Sequence, residues 1–492
     1  MQQERIERIM REKVKEPRDL RGLIFAAAVF MLFLMFMVWQ VNFYLFRNIK
    51  NTYYMAVLPV LVAGGFYFWR LKNGPEYTLL VCYWLWFIAS RILNGDPALV
   101  QEFSLVFDLA LMLPSFLVGL VLERESRKRF LNWFSAAVGG YHFLLGLVCL
   151  AAFILRRQFV NPITGGLLGM TTTDSFERIN ILDINICATA FWFMMAFLLM
   201  VYQFFACKNR LWRIPIVLAG LVHYSVVAIS FTRSVKVSLA VCTALLVVLL
   251  AYNKLKLRKK TALALVLAAL FLASAPLAYK SFDLISTGLL RVSIAVRADK
   301  NEGAQTERSE ASPQTLSASQ GSEASTNDSL EAYEDPRQWN GDLNSFSSGR
   351  LKIYKGAFLT IAEDPSILLT GCLSRDAMTR TNETLTRPQP HYHNFILQVL
   401  IFTGLPGLLL ILALVILVVI KTVRLFFSRD EKAETAVKLL ALPITGTLIY
   451  SLFESCLFTG MEVRPLYFYI LCGALLGFYY DVFPRKSAGR KG

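Results

Sequence analysis

Residues 393–420 read HNFILQVLIFTGLPGLLLILALVILVVI and contain no Asp, Glu, Lys or Arg. About 20 apolar residues in a helix, rising 1.5 Å per residue, cross the roughly 30 Å hydrocarbon core of a bilayer. A backbone that crosses lipid must satisfy its own hydrogen bonds, so such a stretch is helical. This segment therefore predicts a membrane-spanning helix.

Apolar blocks of similar length recur along the whole chain. Of its 492 residues, 55% are hydrophobic, and the mean hydropathy of +0.48 exceeds what a soluble domain needs. We predict an all-α polytopic membrane protein with about 12 transmembrane helices, nine over 23–279 and three over 393–483. The predicted spans are 23–46, 53–70, 77–93, 103–122, 131–155, 181–206, 212–231, 234–252, 261–279, 393–420, 436–457 and 464–483.

The basic residues are distributed unevenly between the two ends of the spans. Residues 1–22 and the tail 484–492 are rich in Lys and Arg, as are loops such as 123–130 and 253–260. The alternate short loops carry far fewer, so the positive-inside rule predicts that both termini are cytoplasmic. Most of the Lys and Arg residues behind the net charge of +16 lie in short loops between the spans, where they set membrane orientation. No basic cluster is interleaved with aromatics in a soluble segment, so we expect no nucleic-acid partner.

A long segment, 280–392, separates the ninth and tenth predicted spans on the extracytoplasmic side. Its middle, 299–346, is rich in Ser, Glu, Gln, Asn and Thr and is predicted to be disordered. Over 348–363 the apolar residues Leu351, Tyr354, Phe358 and Ile361 follow helical spacing. This pattern predicts an amphipathic helix that lies on lipid or on helix ends, although a simple linker helix fits the pattern equally well.

Three cations are placed where a phosphate group could bind at the outer membrane boundary. Arg233 lies in the turn Ser-Phe-Thr-Arg-Ser, and its planar fork suits paired oxygens, although an interfacial Arg can also extend toward water for purely structural reasons. Lys236 lies deeper, where a charge usually faces a cavity or a partner. Arg350 opens the predicted loop helix, where it could equally be a solvated residue.

Two of the four histidines, His391 and His393, precede the tenth span. Histidine can transfer a proton near neutral pH and can activate a hydroxyl nucleophile. Asn394 could orient a substrate oxygen, and the same three residues could serve only a structural role at the interface. No further His, Cys or carboxylate stands at metal-ligand spacing, so we expect no metal site and no cofactor.

The pattern His393-Asn394, nine residues, Gly404, two residues, Gly407 resembles the signature of the O-antigen ligase and Wzy-type polymerase superfamily. Thr232-Arg233-Ser234 is similar to the family's Ser-Arg-Gly at the start of a span, with two substitutions. Ser348-Gly349-Arg350 resembles its Gly-Arg element in the large loop. Arg178, together with Asn185, weakly resembles a further Arg and Asn element.

The resemblance implies an inverting, metal-independent glycosyltransferase in the bacterial cytoplasmic membrane, with its active site facing outward. It implies transfer of a glycan from a polyprenyl (undecaprenyl) diphosphate carrier to an acceptor hydroxyl, as in lipopolysaccharide and other surface-polysaccharide assembly. His393 matches the essential His and would act as the general base. Arg233 and Arg350 match the arginines that hold the diphosphate. Asn394, His391, Lys236 and Arg178 are secondary candidates from their positions.

The sequence leaves other functions open. A multi-span transporter or flippase for lipid-linked glycans is the main alternative, although no paired broken helices are evident in the sequence. A non-catalytic scaffold would leave the His and Arg residues without a role. The acceptor could be a glycan, a lipid or a protein, so ligase, polymerase and protein glycosylation are not distinguished.

Overall fold

The computed structural model describes residues 16–41, 60, 74–94, 111–155, 158–160, 167–173, 176–180, 186–255, 260–309, 350–372, 392–457 and 464–484. The elements run in the following order: α1 Glu16–Val41, α2 Pro75–Leu93, α3 Met112–Val121, α4 Arg124–Leu155, β1 Gln158–Val160, β2 Leu167–Thr173, β3 Phe176–Asn180, α5 Ile186–Ala206, α6 Arg210–Ile229, α7 Arg233–Lys254, α8 Lys260–Ser309, α9 Arg350–Glu363, α10 Ile367–Thr370, α11 Phe395–Phe426, α12 Thr435–Leu439, α13 Ala441–Ser451 and α14 Arg464–Val482.

The membrane part is a helix bundle, which confirms the predicted all-α polytopic class. Within the described ranges, eight helices are long and apolar enough to cross a membrane, and three shorter apolar helices accompany them: Gly22–Leu34, Met112–Val121 and Thr435–Ser451. The predicted span 53–70 lies outside the described residues, apart from Val60. The total of about twelve spans therefore stays a prediction.

A small antiparallel sheet, ordered β1-β2-β3, connects α4 to α5. Its strands pair in sequence order, with Val160 opposite Leu167 and Arg178 opposite Thr171. From the sequence, residues 156–180 were predicted only as a connection between two spans. The prediction relied on long apolar blocks, and these strands are shorter than such a block. The β-branched run Thr171-Thr172-Thr173 favours the strand that forms the middle of the sheet.

The centre of the bundle is α14, most of whose residues are buried. It crosses α3 with the two backbones in contact. A Cβ at Gly473 would lie 1.9 Å from the carbonyl oxygen of Phe116, and a Cβ at Gly119 would lie 1.9 Å from the amide nitrogen of Ala474. Small residues at a crossing allow this approach, which gains van der Waals contact where lipid offers no hydrophobic driving force.

Helix α8 continues well past the predicted end of the ninth span at residue 279. It runs unbroken to Ser309, so the predicted loop 280–392 begins as a helix, and so does the predicted disordered stretch 299–346. Hydropathy marks where a helix leaves lipid and not where its hydrogen bonds end. Helix formers such as Leu284 and Leu289 follow the apolar block without a proline. Residues 310–349 lie outside the described part of the chain.

Helix α2 lies along the second half of α11 and contacts it at both ends. At one end Lys421 pairs with the buried carboxylate of Glu76. At the other end the Trp86 indole Nε1 donates to the carbonyl oxygen of Thr403 at 2.7 Å, and Arg91 donates to that of Phe402. The residues of α11 before Phe402 therefore extend beyond the end of α2, and they carry the candidate site.

Candidate active site

The loop helix α9 packs on the first turns of α11. Ile353 and Ala357 of α9 form a separate apolar cluster with Tyr392, Leu397 and Ile401. The buried face of α9 is displaced from the predicted apolar stripe. Within that stripe Leu351 and Phe358 are exposed and Tyr354 and Ile361 are partly buried. Small residues at Gly356 and Ala357 explain the displacement, because they let the two helices approach closely.

His393 immediately precedes α11 in a left-handed backbone conformation, with φ of 50°. This conformation turns the chain into the helix, and Asn394 then acts as the N-cap. The Asn394 side-chain oxygen accepts from the amides of Ile396 and Leu397, at 2.9 and 3.1 Å. Its Nδ2 donates to the carbonyl oxygen of Leu452 at 3.0 Å. Asn394 thus holds the start of α11 against the segment after α13, in addition to satisfying free helix amides.

Glu454 joins the two predicted site residues His393 and Arg350. One carboxylate oxygen, Oε2, lies 3.0 Å from His393 Nδ1, and the other, Oε1, accepts from the Arg350 guanidinium at 2.6 Å. The Glu454 side chain is only 2% exposed. Because a carboxylate can only accept a hydrogen bond, this contact requires a hydrogen on His393 Nδ1.

Sequence reasoning did not identify Glu454, although a signal for it was present. The residue falls inside the predicted span 436–457, where an ionisable side chain is costly and usually functional. The structure reduces the helix there to α12 and α13, ending at Ser451, so Glu454 lies in the turn beyond the membrane helix. Its burial is compensated by two charged or polar partners.

Tyr354 of α9 adds a further contact to this cluster. Its hydroxyl donates to the backbone carbonyl of His393 at 3.2 Å. Burial raises the pKa of this hydroxyl, so it remains a donor at neutral pH. The loop helix therefore contacts His393 directly through Tyr354 and indirectly through Arg350 and Glu454.

Helix α11 is broken at Gly404, between the candidate site and the part of the helix that packs along α2. Gly404 has φ of 67° and ψ of −175°, which interrupts the helix. The short helix α10 and Gly371 pack against the break: a Cβ at Gly404 would lie 2.6 Å from the carbonyl oxygen of Leu369. The Cys372 amide donates to the carbonyl oxygen of Ile401 at 2.6 Å. Carbonyls freed by the break are therefore satisfied by the loop and by Trp86 and Arg91.

Arg233 is half-buried at the first position of α7, after the left-handed residue Phe231. Helix α7 contacts α13 where Cys242 Sγ would lie 3.0 Å from a Cβ at Gly446. The two helices run in opposite directions. Arg233 lies before Cys242 in α7 and Glu454 lies after Gly446 of α13, each about 12–14 Å along its chain segment. Because the helices are antiparallel, both residues lie at the same end of the α7–α13 helix pair.

Lys236 is buried and pairs with Asp283 of α8 at 3.3 Å, a partner outside the His393 cluster. The structure therefore assigns Lys236 a contact that fastens α8 to α7. This carboxylate partner was not anticipated from the sequence, because Asp283 falls beyond the predicted end of the ninth span.

Two secondary candidates remain, Arg178 and His391. The backbone of Arg178 lies in β3, and His391 lies outside the described residues. The other two histidines, His142 and His223, are buried within the bundle on α4 and α6. Across the described residues, no group of three or more His, Cys, Asp or Glu side chains is arranged to hold a metal ion.

A second buried cation, Arg464, lies near Glu454 and was also missed. It opens α14, is 5% exposed, and donates to the Tyr450 hydroxyl at 3.0 Å. Tyr450 in turn donates to the carbonyl oxygen of Cys187 at 3.0 Å. Tyr450 lies one helical turn before Glu454, so this contact joins α14, α13 and α5 beside the cluster. An Arg at the start of the last predicted span was the available signal.

Residues 217–412 match the family model of O-antigen ligase (Wzy_C), and this range contains Arg233, Arg350 and His393 but not Glu454. The comparison with curated proteins gives no match. The match indicates a membrane enzyme of O-antigen or related polysaccharide assembly, with glycosyltransferase-like activity on a lipid-linked glycan. It confirms the resemblance seen in the motifs: over residues 217–412, the chain is similar to the O-antigen ligase family.

Proposed function

We propose that this protein transfers a glycan from a polyprenyl diphosphate carrier to an acceptor hydroxyl at the extracytoplasmic face of the bacterial cytoplasmic membrane. The observation that carries the proposal is the cluster of His393, Glu454 and Arg350, which unites a base and a cation through one buried carboxylate. Two of its three members lie within the segment that matches the O-antigen ligase family.

In the proposed reaction His393 is the general base. Glu454 accepts the hydrogen on Nδ1 and so orients the ring, which leaves the lone pair of Nε2 to take the acceptor proton. The acceptor oxygen attacks the anomeric carbon of the donor sugar as that proton moves to His393. Attack from the face opposite the diphosphate inverts the anomeric configuration in one step.

The leaving group takes the electron pair of the bond between the anomeric carbon and the phosphate oxygen. The departing diphosphate gains negative charge, which fixed guanidinium groups stabilise best in a poorly hydrated site. Arg350 is held by Glu454, and Arg233 lies at the same end of the bundle, so both are suited to this role. We propose that the step needs no metal ion, because the two arginines supply the positive charge.

The decisive experiment compares His393→Ala with wild type and a deletion by mass spectrometry of lipid-linked precursors and surface glycans. We expect the variant to match the deletion, with polyprenyl diphosphate glycan accumulating while a surface product disappears. Arg350→Ala should give the same result. The control is Lys352→Ala, which removes an exposed cation two residues away on the same helix and should leave the glycans unchanged.

The accumulated intermediate also identifies the reaction. Single repeat units on the carrier indicate a polymerase, and long chains on the carrier indicate a ligase. If His393→Ala is expressed at the normal level and its glycans match wild type, the catalytic role is wrong. Transport of the lipid-linked glycan would then become the leading explanation.

A further inference from the structure

An apolar groove opens on the outside of the bundle between α5, α6 and α7. It has a volume of about 270 Å³ and is lined by residues such as Phe197, Met200, Phe204, Val217, Leu221 and Leu246. Val217 and Leu221 are exposed at its mouth, and Gly220 leaves space in its wall. These helices cross the membrane, so the groove opens toward lipid.

Three cations lie in or beside the loop between α5 and α6, at one end of the groove. Arg213 lies with its guanidinium carbon 5.1 Å from the centre of the Phe204 ring, and it donates to the carbonyl oxygen of Cys207. Lys208 and Arg210 are exposed in the same loop. The sequence contains no Asp or Glu between Asp183 and Asp283, so α5, α6 and α7 contribute no acid to this end.

Among the described residues, Glu434 acts electrostatically on Tyr202 of α5, and it already pairs with Lys128 at 2.8 Å and with Arg124 at 3.3 Å. The salt bridges of Glu434 are therefore to α4, and the positive charge of Lys208, Arg210 and Arg213 suits an anionic ligand. Arg and Lys both match a phosphate group in charge. The planar guanidinium of Arg also matches the geometry of its oxygens.

The groove is remote from the candidate active site. Phe204 lies 17 residues along α5 from Cys187, whose carbonyl contacts Tyr450 near Glu454, and this separation is about 25 Å. Leu246 lies 13 residues along α7 from Arg233, or about 20 Å. A ligand in the groove would therefore occupy the opposite leaflet from the glycan donor's diphosphate.

We propose that the groove is a binding site for an anionic phospholipid. One acyl chain lies against Phe197, Phe204 and Leu221, and the phosphate lies beside Arg213, Arg210 and Lys208. The apolar lining and the cations meet at a single membrane boundary, as the acyl chain and the phosphate of a phospholipid do. This site is independent of the proposed glycosyl transfer.

The test is native mass spectrometry of the full chain released from nanodiscs that contain equal amounts of phosphatidylglycerol and phosphatidylcholine. We expect wild type to retain one phosphatidylglycerol in preference to phosphatidylcholine. Gly220→Leu should displace it, because the new side chain enters the groove and its Cβ meets Phe197 at an ordinary 3.9 Å. The double variant Lys208→Ser, Arg210→Ser should lower the preference for the anionic lipid about tenfold or more.

Matched controls keep the two parts of the proposal separate. Gly140→Leu adds the same side chain to an open position on α4, and Arg129→Ser with Lys432→Ser removes two exposed cations elsewhere. Both should retain the lipid. Equal retention of the two lipids by wild type, or unchanged retention in both groove variants, overturns the proposal. So does a polyprenyl phosphate found in the groove in place of the phospholipid. If Gly220→Leu does not fold, the charge variant alone decides.

Discussion

A single buried carboxylate connects the base and the cation of the candidate site. Glu454 contacts His393 through one oxygen and Arg350 through the other. Removing one partner of a buried charged cluster usually costs more than the cluster contributes, because the other charges lose their compensation. Arg350 belongs to the loop helix and His393 to the start of α11. The same carboxylate therefore orients the base and holds the loop helix against the site.

We predict that Glu454→Gln lowers kcat for glycan transfer by about 10²-fold or more and changes KM much less. The amide keeps a similar shape but loses the charge that orients the His393 ring and attracts Arg350. Steady-state transfer from a purified lipid-linked donor measures both constants, and Glu454→Asp should recover part of the rate. A Glu454→Gln enzyme with the wild-type rate would show that the carboxylate only stabilises the fold.

At the scale of elements, the break in α11 connects the membrane bundle to the loop segment of α10, Gly371 and Cys372. The carbonyls of Phe402 and Thr403 receive hydrogen bonds from Arg91 and Trp86 of α2, and the backbone near Gly404 contacts α10. This arrangement gives the motif glycine Gly404 a physical role, because its positive φ and its close approach to Leu369 exclude a side chain. The part of α11 between His393 and the break is thus fixed to α2 and to the loop.

We predict that Gly404→Ala destabilises the protein by about 1–3 kcal/mol and reduces transfer activity. The new Cβ would lie 2.6 Å from the Leu369 carbonyl oxygen in a backbone conformation that disfavours a side chain. The control is Gly288→Ala in α8, where no atom lies within 4 Å and alanine favours the helix. Thermal unfolding in detergent should show a lower Tm for the first variant and an unchanged or higher Tm for the second. Equal Tm values for the two variants would contradict this role of Gly404.

These elements also show what the sequence could and could not predict. Hydropathy located the membrane helices because each one satisfies its own backbone hydrogen bonds locally. The spacing around His393 and Gly404 indicated the family, which the family match confirms, and made His393 a candidate base. Glu454 was missed because its contacts with Arg350 and His393 span 104 and 61 residues of chain. The continuation of α8 past residue 279 was missed because hydropathy carries no signal for a helix outside lipid.

At the scale of the whole molecule, the bundle is assembled around α14. Its residues Gly473 and Gly477 face α3 and Arg127, and the same helix begins with Arg464 beside the candidate site. At the other end Arg127 donates to the carbonyl oxygens of Gly119 and Leu122 and pairs with Asp481 at 2.7 Å. Contacts at both ends of this central helix therefore fix its position through the bundle.

We predict that Gly473→Val strongly reduces the amount of folded protein, because α3 and α14 must separate to accommodate it. A Cβ there would lie 1.9 Å from the Phe116 carbonyl oxygen, and overpacking of this kind costs about 1–3 kcal/mol or more. Size-exclusion chromatography of a fluorescent fusion measures the folded fraction. Gly140→Val, placed in open space on α4, is the control and should behave as wild type. A monodisperse Gly473→Val peak at wild-type height would refute the tight crossing.

The length of α8 has a consequence for the space outside the membrane. Its 50 residues, Lys260–Ser309, are about 75 Å long, whereas the hydrocarbon core is about 30 Å thick. Lys280, Asp283 and Arg291 follow the apolar block 261–279, so the second half of α8 extends beyond the lipid. The Lys236–Asp283 pair fastens the start of this extension to α7, close to Arg233 at the first position of that helix. The glycan of a donor held at Arg233 would therefore lie beside a helix that projects from the membrane.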